Sequence, residues 1–324
     1  MNILITGGLG YIGSHLCVEL SKTNSKIFIL DDLSNSFLKK KNKIEKLIGI
    51  KIKFIKNDLS DYKKISKILK ANKINLVFHL AGVKAVKESI LNPYKYYLKN
   101  SFSTLQLLKA MHISKVNKII FSSSATVYGI KNKNPIEEAA SLEPINPYGE
   151  SKLISEKFII DHAKISKNFN YIILRYFNPL GYHKSGLLSD DNSNDNLVPN
   201  LIKSFKSKKP FLVYGKDYKT RDGTAIRDYI HINDLISAHL SSLKYIFKLK
   251  NEIFNVGTGK GYTVLEVLKS FKKILNRSIN FKLSKKRKGD PECIYCHTKK
   301  IERKLRWKPT HSLLDMCKHS IRKI

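Results

Sequence analysis

No stretch of this 324-residue chain holds enough consecutive apolar residues to cross a bilayer, which takes about 20 of them. Its first residues, Met1-Asn-Ile-Leu-Ile5, read directly as a buried strand, so neither a signal peptide nor a membrane anchor is expected and the chain reads as cytoplasmic. Cysteine is scarce: Cys17, Cys293, Cys296 and Cys317 are too few and too unevenly placed for a disulfide framework. Cys293-Ile-Tyr-Cys296-His297 matches the C-x-x-C-H pattern of haem attachment. That chemistry goes with export, and a zinc site would need further ligands nearby, so neither haem nor metal is expected. Arginine is the third shortage. Only eight of the 60 basic residues are Arg, against 26 acidic residues and a formal net charge of +34. Surfaces that read nucleic acid favour Arg and cluster it on one element, whereas Lys here is spread along the whole length with Ile and Asn. A specific nucleic-acid function is not expected, and the charge reads as a general attraction for anions.

Glycine, by contrast, is concentrated near the start. The apolar run 3–5 ends in Thr6-Gly7-Gly8-Leu-Gly10-Tyr-Ile-Gly13-Ser-His15, and a helical pattern (Ile12, Leu16, Leu20) follows at once. Glycines in such a loop make the tight turn, admit a pyrophosphate to the backbone and let helix pack on strand. The helix N-terminus adds unpaired N–H groups and a positive dipole end. On its own the loop does not separate a dinucleotide binder from a plain turn. However, a second apolar run, 26–30, ends in Asp31-Asp32, about 20 residues on, where an acid accepts from a ribose 2′-hydroxyl. An acid there repels a 2′-phosphate, so NAD is the expected cofactor.

Apolar runs at 50–55, 75–79, 118–121 and 171–175 alternate with helical patterns at 37–48, 65–69, 93–111 and 148–166. This rhythm means βαβ units, a parallel sheet, and a ligand in the crevice beyond the strand C-termini. The expected fold class is α/β: a doubly wound parallel (Rossmann) sheet over residues 1–175 with a smaller α+β substrate domain. Segments 176–228 and 257–324 would form the smaller domain, and 229–256 would return to the main sheet through a strand at 253–256.

Tyr148-Gly-Glu-Ser-Lys152 opens a helix with a phenol and an ammonium four residues apart, on one face. An ammonium beside the phenol, together with a positive nicotinamide ring, is expected to lower Tyr148 from the usual ~10. Such a base takes a proton from a substrate hydroxyl as a hydride leaves the same carbon. Ser124, ending the neighbouring strand, is placed to hydrogen-bond that hydroxyl.

Together, Thr6, Gly7, Gly10, Gly13, Ser124 and Tyr148-x-x-x-Lys152 resemble the extended short-chain dehydrogenases/reductases. Longer strings are similar to the UDP-glucose 4-epimerase family over nearly the full length: residues 7–15, Ala81-Gly82-Val-Lys84-Ala-Val, Ser122-Ser-Ser-Ala-Thr-Val-Tyr-Gly129, Leu174-Arg-Tyr-Phe-Asn-Pro179 and Arg227-Asp-Tyr-Ile-His231. The resemblance implies that NAD is met by Gly7, Gly10, Tyr11, Ile12, Gly13, Asp31, Asp32, Leu33, Ser34, Asn35, Asp58, Leu59, Leu80, Ala81, Gly82, Val83, Lys84, Asn100, Ser124, Tyr148, Lys152 and Phe177. Lys99 stands where relatives often carry Asn, and the cofactor role is assigned to Asn100 instead. The nucleotide sugar would meet Lys84, Ser124, Ala125, Thr126, Tyr148, Asn178, Asn196, Leu197, Leu212, Tyr214, Arg227, Arg287, Asp290 and Ile294. Arg227 and Arg287 suit a diphosphate, and Asp290 suits ribose hydroxyls.

The implied reaction is reversible 4-epimerisation of UDP-glucose and UDP-galactose, with Tyr148, Lys152 and Ser124 as the catalytic group. Tyr148 takes the C4 hydroxyl proton while a hydride passes from C4 to NAD; the 4-keto sugar turns over and receives the hydride on its other face. Sister dehydratases set an Asp-Glu pair beside the Ser/Thr; Ser124-Ala125-Thr126 has no acid, so elimination is not expected. Ile294 stands at a pocket wall where a bulky Tyr in relatives goes with rejection of N-acetylated sugars. An epimerase acting mainly on UDP-N-acetylhexosamines or uronic sugars therefore stays open. The resemblance also implies a homodimer pairing the helices near 93–111 and 148–166.

Overall fold

The computed structural model describes residues 1–190, 196–248, 251–286 and 290–321. The first half alternates strand and helix: β1 (Asn2–Thr6), α1 (Tyr11–Leu20), β2 (Lys26–Asp31), α2 (Lys39–Ile48), β3 (Lys53–Lys56), α3 (Tyr62–Ala71) and β4 (Leu76–His79). There follow α4 (Val86–Leu91), α5 (Pro93–Tyr96), α6 (Ser103–Ile113), β5 (Lys118–Ser124), α7 (Pro147–Ile165) and β6 (Asn170–Tyr176). The remainder holds β7 (Asn178–Leu180), α8 (Leu197–Ser207), β8 (Phe211–Tyr214), β9 (Ile226–His231), α9 (Ile232–Tyr245) and β10 (Glu252–Val256). It closes with β11 (Gly261–Thr263), α10 (Val264–Leu275), β12 (Phe281–Ser284), β13 (Cys293–Ile294), α11 (Lys299–Leu305) and α12 (Leu313–Ser320).

The main sheet has seven strands in the order β10-β6-β5-β4-β1-β2-β3, every neighbour parallel. Strands buried on both faces need apolar side chains at every position, which is why the runs read as continuous rather than alternating. Successive residues feed opposite layers. Ile3, Ile5, Ile27 and Ile29 join one hydrophobic cluster, while Leu4, Phe28 and Leu30 join the other. Burying each such side chain stabilises the fold by about 1.5–3 kcal/mol before entropy is counted. The strand order reverses between β1 and β4, so the crevice beyond their C-termini lies at the switch point of a doubly wound sheet. β10 returns to pair with β6, from Glu252↔Ile172 to Val256↔Tyr176.

Smaller sheets flank this layer: β7, β9, β11 and β13 form one, and β8 and β12 another. The first cluster runs on from Ile3 through Ile230 to Trp307, so the same apolar core serves the main sheet and the later segments. No helix among the described residues is long and apolar enough to cross a membrane.

The helix read over 93–111 starts as expected, with Asn92 Oδ1 capping Lys95 N and Pro93 in the first turn. It runs on through a π-helical segment, Tyr97–Phe102, into α6. His231, the last residue of β9, caps α9 by accepting from Asn233 N.

Candidate active site

The glycine loop joins β1 to α1 at the switch point. A Cβ on Gly13 would lie 2.4 Å from the Gly7 carbonyl oxygen, and one on Gly7, at φ +68°, would lie 2.7 Å from Ala81 N. Gly10 differs. As the N-cap of α1 it would present its Cβ to open space apart from the Gly7 oxygen at 3.1 Å, and no side chain caps the helix. The first-turn amides of Tyr11, Ile12 and Gly13 thus face a concavity kept clear of side chains, which is the form a pyrophosphate requires. The residues fit a dinucleotide.

Asp31, at the end of β2 and 7% exposed, holds the loop in place. Its carboxylate accepts from Leu9 N at 3.0 Å, Leu33 N at 3.0 Å and Ser36 Oγ at 2.8 Å. A carboxylate has about four acceptor sites, so capacity is left for a ribose hydroxyl. Asp32 accepts from Ser34 and pairs with Lys99 Nζ at 2.8 Å. Burial opposes its ionisation, but Lys99 and Ser34 outweigh that and hold it below its ordinary value. Asp58 is held low first by Ser60, and the Lys99 charge adds to this. Lys99, left without a role by the sequence, is the cation that joins these two acids. Leu59 is buried, and Leu80 N bonds Thr6 O as β4 leaves the sheet.

Asn100 is placed as a pin. Its Oδ1 accepts Val83 N at 2.8 Å, and its Nδ2 donates to Val83 O at 3.0 Å and Ser151 Oγ at 2.8 Å. Both amide protons are spent within the chain, so its bearing on a cofactor is to shape the loop of Ala81, Gly82 and Val83. A second link escaped the sequence reading altogether. His79 Nδ1 meets Thr6 Oγ1 at 2.8 Å and its Nε2 meets Thr104 Oγ1 at 2.9 Å. This fully buried ring, which burial lowers to about 3, ties the glycine loop to α6 as a neutral relay. A histidine at a strand end carries no periodic signal, so the link is legible only in three dimensions.

Ser124 ends β5 and Tyr148 sits in the first turn of α7, where Asn146 Oδ1 caps Gly149 N at 2.9 Å. The Ser124 hydroxyl lies near enough to the Tyr148 phenol to favour its ionisation, and both residues are 9% exposed. Ser124 Oγ also accepts from Thr126 Oγ1 at 2.9 Å. Lys152 Nζ donates to the Ser122 carbonyl at 2.8 Å. In the chain by itself burial raises the Tyr148 phenol above its ordinary value, and Ser124 offsets only part of that. The Lys152 ammonium is itself buried, which lowers it to about 8.

On the substrate side, Lys84 pairs with Asp190 at 3.2 Å, and Asn196, the N-cap of α8, donates to the same carboxylate at 2.5 Å. Asp190 thereby gathers Lys84, Asn196 and Leu197, a role the sequence did not reveal. Leu212 and Tyr214 alternate along β8 and so share a face. Arg227 is paired with Asp290 and donates to Ile226 O at 2.7 Å. Ala125, Phe177 and Ile294 lie in one buried cluster, and Asn178 is exposed on β7. Arg287 lies outside the described residues. Cys296 is fully buried with its thiol 3.3 Å from Asp228, a structural contact. His231, His311 and His319 converge, but His231 Nδ1 accepts from Asn233 N. The proton is therefore on Nε2, which donates to His319 Nδ1 at 3.0 Å.

The geometry agrees with known proteins. A family model described as the NAD dependent epimerase/dehydratase family matches residues 3–257. The chain belongs to that family. A UDP-glucose 4-epimerase of Bacillus subtilis (strain 168) is 40% identical over 326 residues, covering 99% of this chain and 96% of the relative. Among solved structures, the UDP-glucose 4-epimerase of Stenotrophomonas maltophila with bound NAD and formylated UDP-arabinopyranose superposes with a TM-score of 0.95. It is 36% identical and covers 99% of this chain and 96% of its own. The enzyme of Bifidobacterium longum in complex with NAD+ and UDP gives 0.94 at 39% identity, covering 99% and 97%. Members of this epimerase/dehydratase family are NAD dependent, in keeping with the glycine cradle and Asp31.

Proposed function

We propose that the protein interconverts UDP-glucose and UDP-galactose by inverting C4, with NAD held in the glycine cradle and regenerated in each turnover. The observation that carries this reading is the burial of Ser124, Tyr148 and Lys152 together at the same sheet edge as the cradle. Bound NAD supplies a hydride acceptor that becomes the donor for the return step. The chain does the rest. Tyr148 receives the C4 hydroxyl proton and gives it back, Ser124 orients that hydroxyl, and Lys152 holds positive charge beneath the phenol. Burial of the three side chains excludes water while the 4-keto sugar turns over. Arg227 and Lys84 are the cations that suit the diphosphate, and each is held in place by an acid, Asp290 and Asp190. Purified protein incubated with UDP-galactose, with no NAD added, is expected to yield UDP-glucose. No conversion by protein shown to contain NAD would refute the reading.

Ile294 favours a wider substrate range. It is 6% exposed and packs with Ala125 and Phe177, so the side chain at this one position of the wall is aliphatic where a Tyr would be aromatic and larger. UDP-N-acetylgalactosamine is expected to be converted as well, and Ile294→Tyr to suppress that activity while sparing the plain hexose. Product analysis of both enzymes on both substrates checks this; plain hexoses alone turned over by the wild type would count against it.

Homodimerisation is supported by exposed apolar residues on the segment expected to pair. Tyr94 (79% exposed), Leu98 (58%), Phe102 (40%) and Leu105 (43%) recur every three or four residues along it. Such a stripe is typical of an interaction face. Leu98→Glu is expected to halve the mass found by light scattering, whereas a wild-type monomer would rule the dimer out.

A further inference from the structure

α7 carries a second charged residue that the reaction does not touch. Glu156 lies one turn beyond Lys152 and is 1% exposed. Arg175 on β6 engages both its oxygens, Nε to Oε1 at 3.1 Å and Nη2 to Oε2 at 2.7 Å. Ser123 Oγ on β5 also donates to Oε1. Arg175, 2% exposed, donates through Nη1 to the Tyr128 hydroxyl at 2.9 Å and the Glu138 carbonyl at 3.1 Å. Tyr128 in turn donates to Asn255 Oδ1 on β10 at 2.6 Å. A buried ion pair gains little over an apolar pair of the same volume, because desolvation offsets the attraction. Stability therefore does not account for its presence.

Its placement does. Ser123 stands between Ser122, whose carbonyl accepts Lys152 Nζ, and Ser124, whose hydroxyl favours ionisation of the Tyr148 phenol. Anchoring Ser123 to α7 sets the height of both neighbours against the helix that carries Tyr148 and Lys152. We propose that Glu156, clamped by Arg175, is a positioning residue for the Ser124–Tyr148–Lys152 group, fixing β5 against α7 and keeping Lys152 charged during turnover. This rests on the epimerase reading above. Lys152 is faced by Tyr148 and Glu156 from its own helix, by His79 from β4, and by the Ser122 carbonyl and the Phe121 ring (5.0 Å) from β5. His79, lowered to about 3, is neutral across the working range. Burial pulls Lys152 down to about 8, and the Glu156 charge is what opposes it.

The sign follows. As pH rises through about 8 the Lys152 ammonium is lost and kcat falls; without the carboxylate that limb moves to lower pH. The test compares pH profiles of kcat and KM for UDP-galactose in wild type, Glu156→Gln, the double variant Glu156→Gln/Arg175→Met, and Ser123→Ala. The double variant buries no unpaired guanidinium and so guards against simple misfolding. Glu156→Gln is expected to lower the basic limb by about 1 unit or more, and the double variant, which removes a cation with the anion, to lose kcat with a smaller shift of the limb; KM changes less than about twofold in both, since neither residue meets the sugar. Ser123→Ala is expected to reduce kcat and leave the limb in place. An unmoved limb in Glu156→Gln, or full kcat in the double variant or in Ser123→Ala, would overturn the proposal. An inactive wild type containing NAD would instead refute the epimerase reading itself.

Discussion

A Tyr148→Phe enzyme is expected to lose about 10²–10⁴-fold in kcat, the usual worth of a positioned general acid–base, while keeping its NAD and its affinity for the sugar nucleotide. The substitution removes one oxygen and no volume. Packing of the ring against Val83 and Tyr96, with the Tyr96 and Tyr148 rings 6.2 Å apart edge to face, survives it. Ser124 keeps Thr126 at 2.9 Å, so the stability cost stays within that of one hydrogen bond, about 1 kcal/mol. A fall in kcat with KM within a few-fold identifies an interaction made in the transition state. Single-turnover and steady-state assays on UDP-galactose separate the two quantities. Activity above a tenth of wild type would place the base elsewhere. Burial raises the Tyr148 phenol, so a cation beside it is needed for the phenolate at neutral pH, and Lys152 is the chain's own contribution to that.

The second large effect is expected at the glycine loop. In Gly13→Ala the new Cβ would lie 2.4 Å from the Gly7 oxygen and 2.7 Å from Gly8 Cα. Both are backbone atoms of the turn, so no flexible side chain can yield. The turn must open, at about 1–3 kcal/mol of stability for the overpacking. NAD affinity is expected to fall 100-fold or more, or about 3 kcal/mol, and the protein to purify without cofactor. Gly10→Ala makes the instructive contrast. Its Cβ meets only the Gly7 oxygen, at 3.1 Å, so the fold should hold while the methyl fills space meant for the ligand. Thermal melting and NAD titration of the two variants distinguish a broken cradle from a blocked one. A Gly13→Ala protein that retains wild-type NAD would show that the loop does not hold the pyrophosphate.

Much of this site was legible in the sequence because its signals are local. The β1–glycine–α1 passage, the acid ending β2, and Tyr148 and Lys152 one helical turn apart each depend on a few neighbouring residues. The helix expected over 93–111 is present, but its π-helical turn holds Asn100, which bonds Val83 and Ser151, 17 and 51 residues away, and such distant partners leave no local signal. The upward pull of burial on Tyr148 was likewise out of reach. It is decided by how deeply the ring is buried, and burial is a property of the whole assembly.

The sequence by itself determined the order of strands and helices, the preference for NAD and the pair we propose as the acid–base group, since strand periodicity, helical spacing and charge at a strand end act over short distances. Only the tertiary structure decided which polar groups hold those residues: His79 with Thr6 and Thr104, Lys99 with Asp32, Asp190 with Lys84, and Glu156 with Arg175 and Ser123. Each of these contacts joins separate elements, and a buried polar atom takes whatever partner the packing of the sheet and its helices brings within reach.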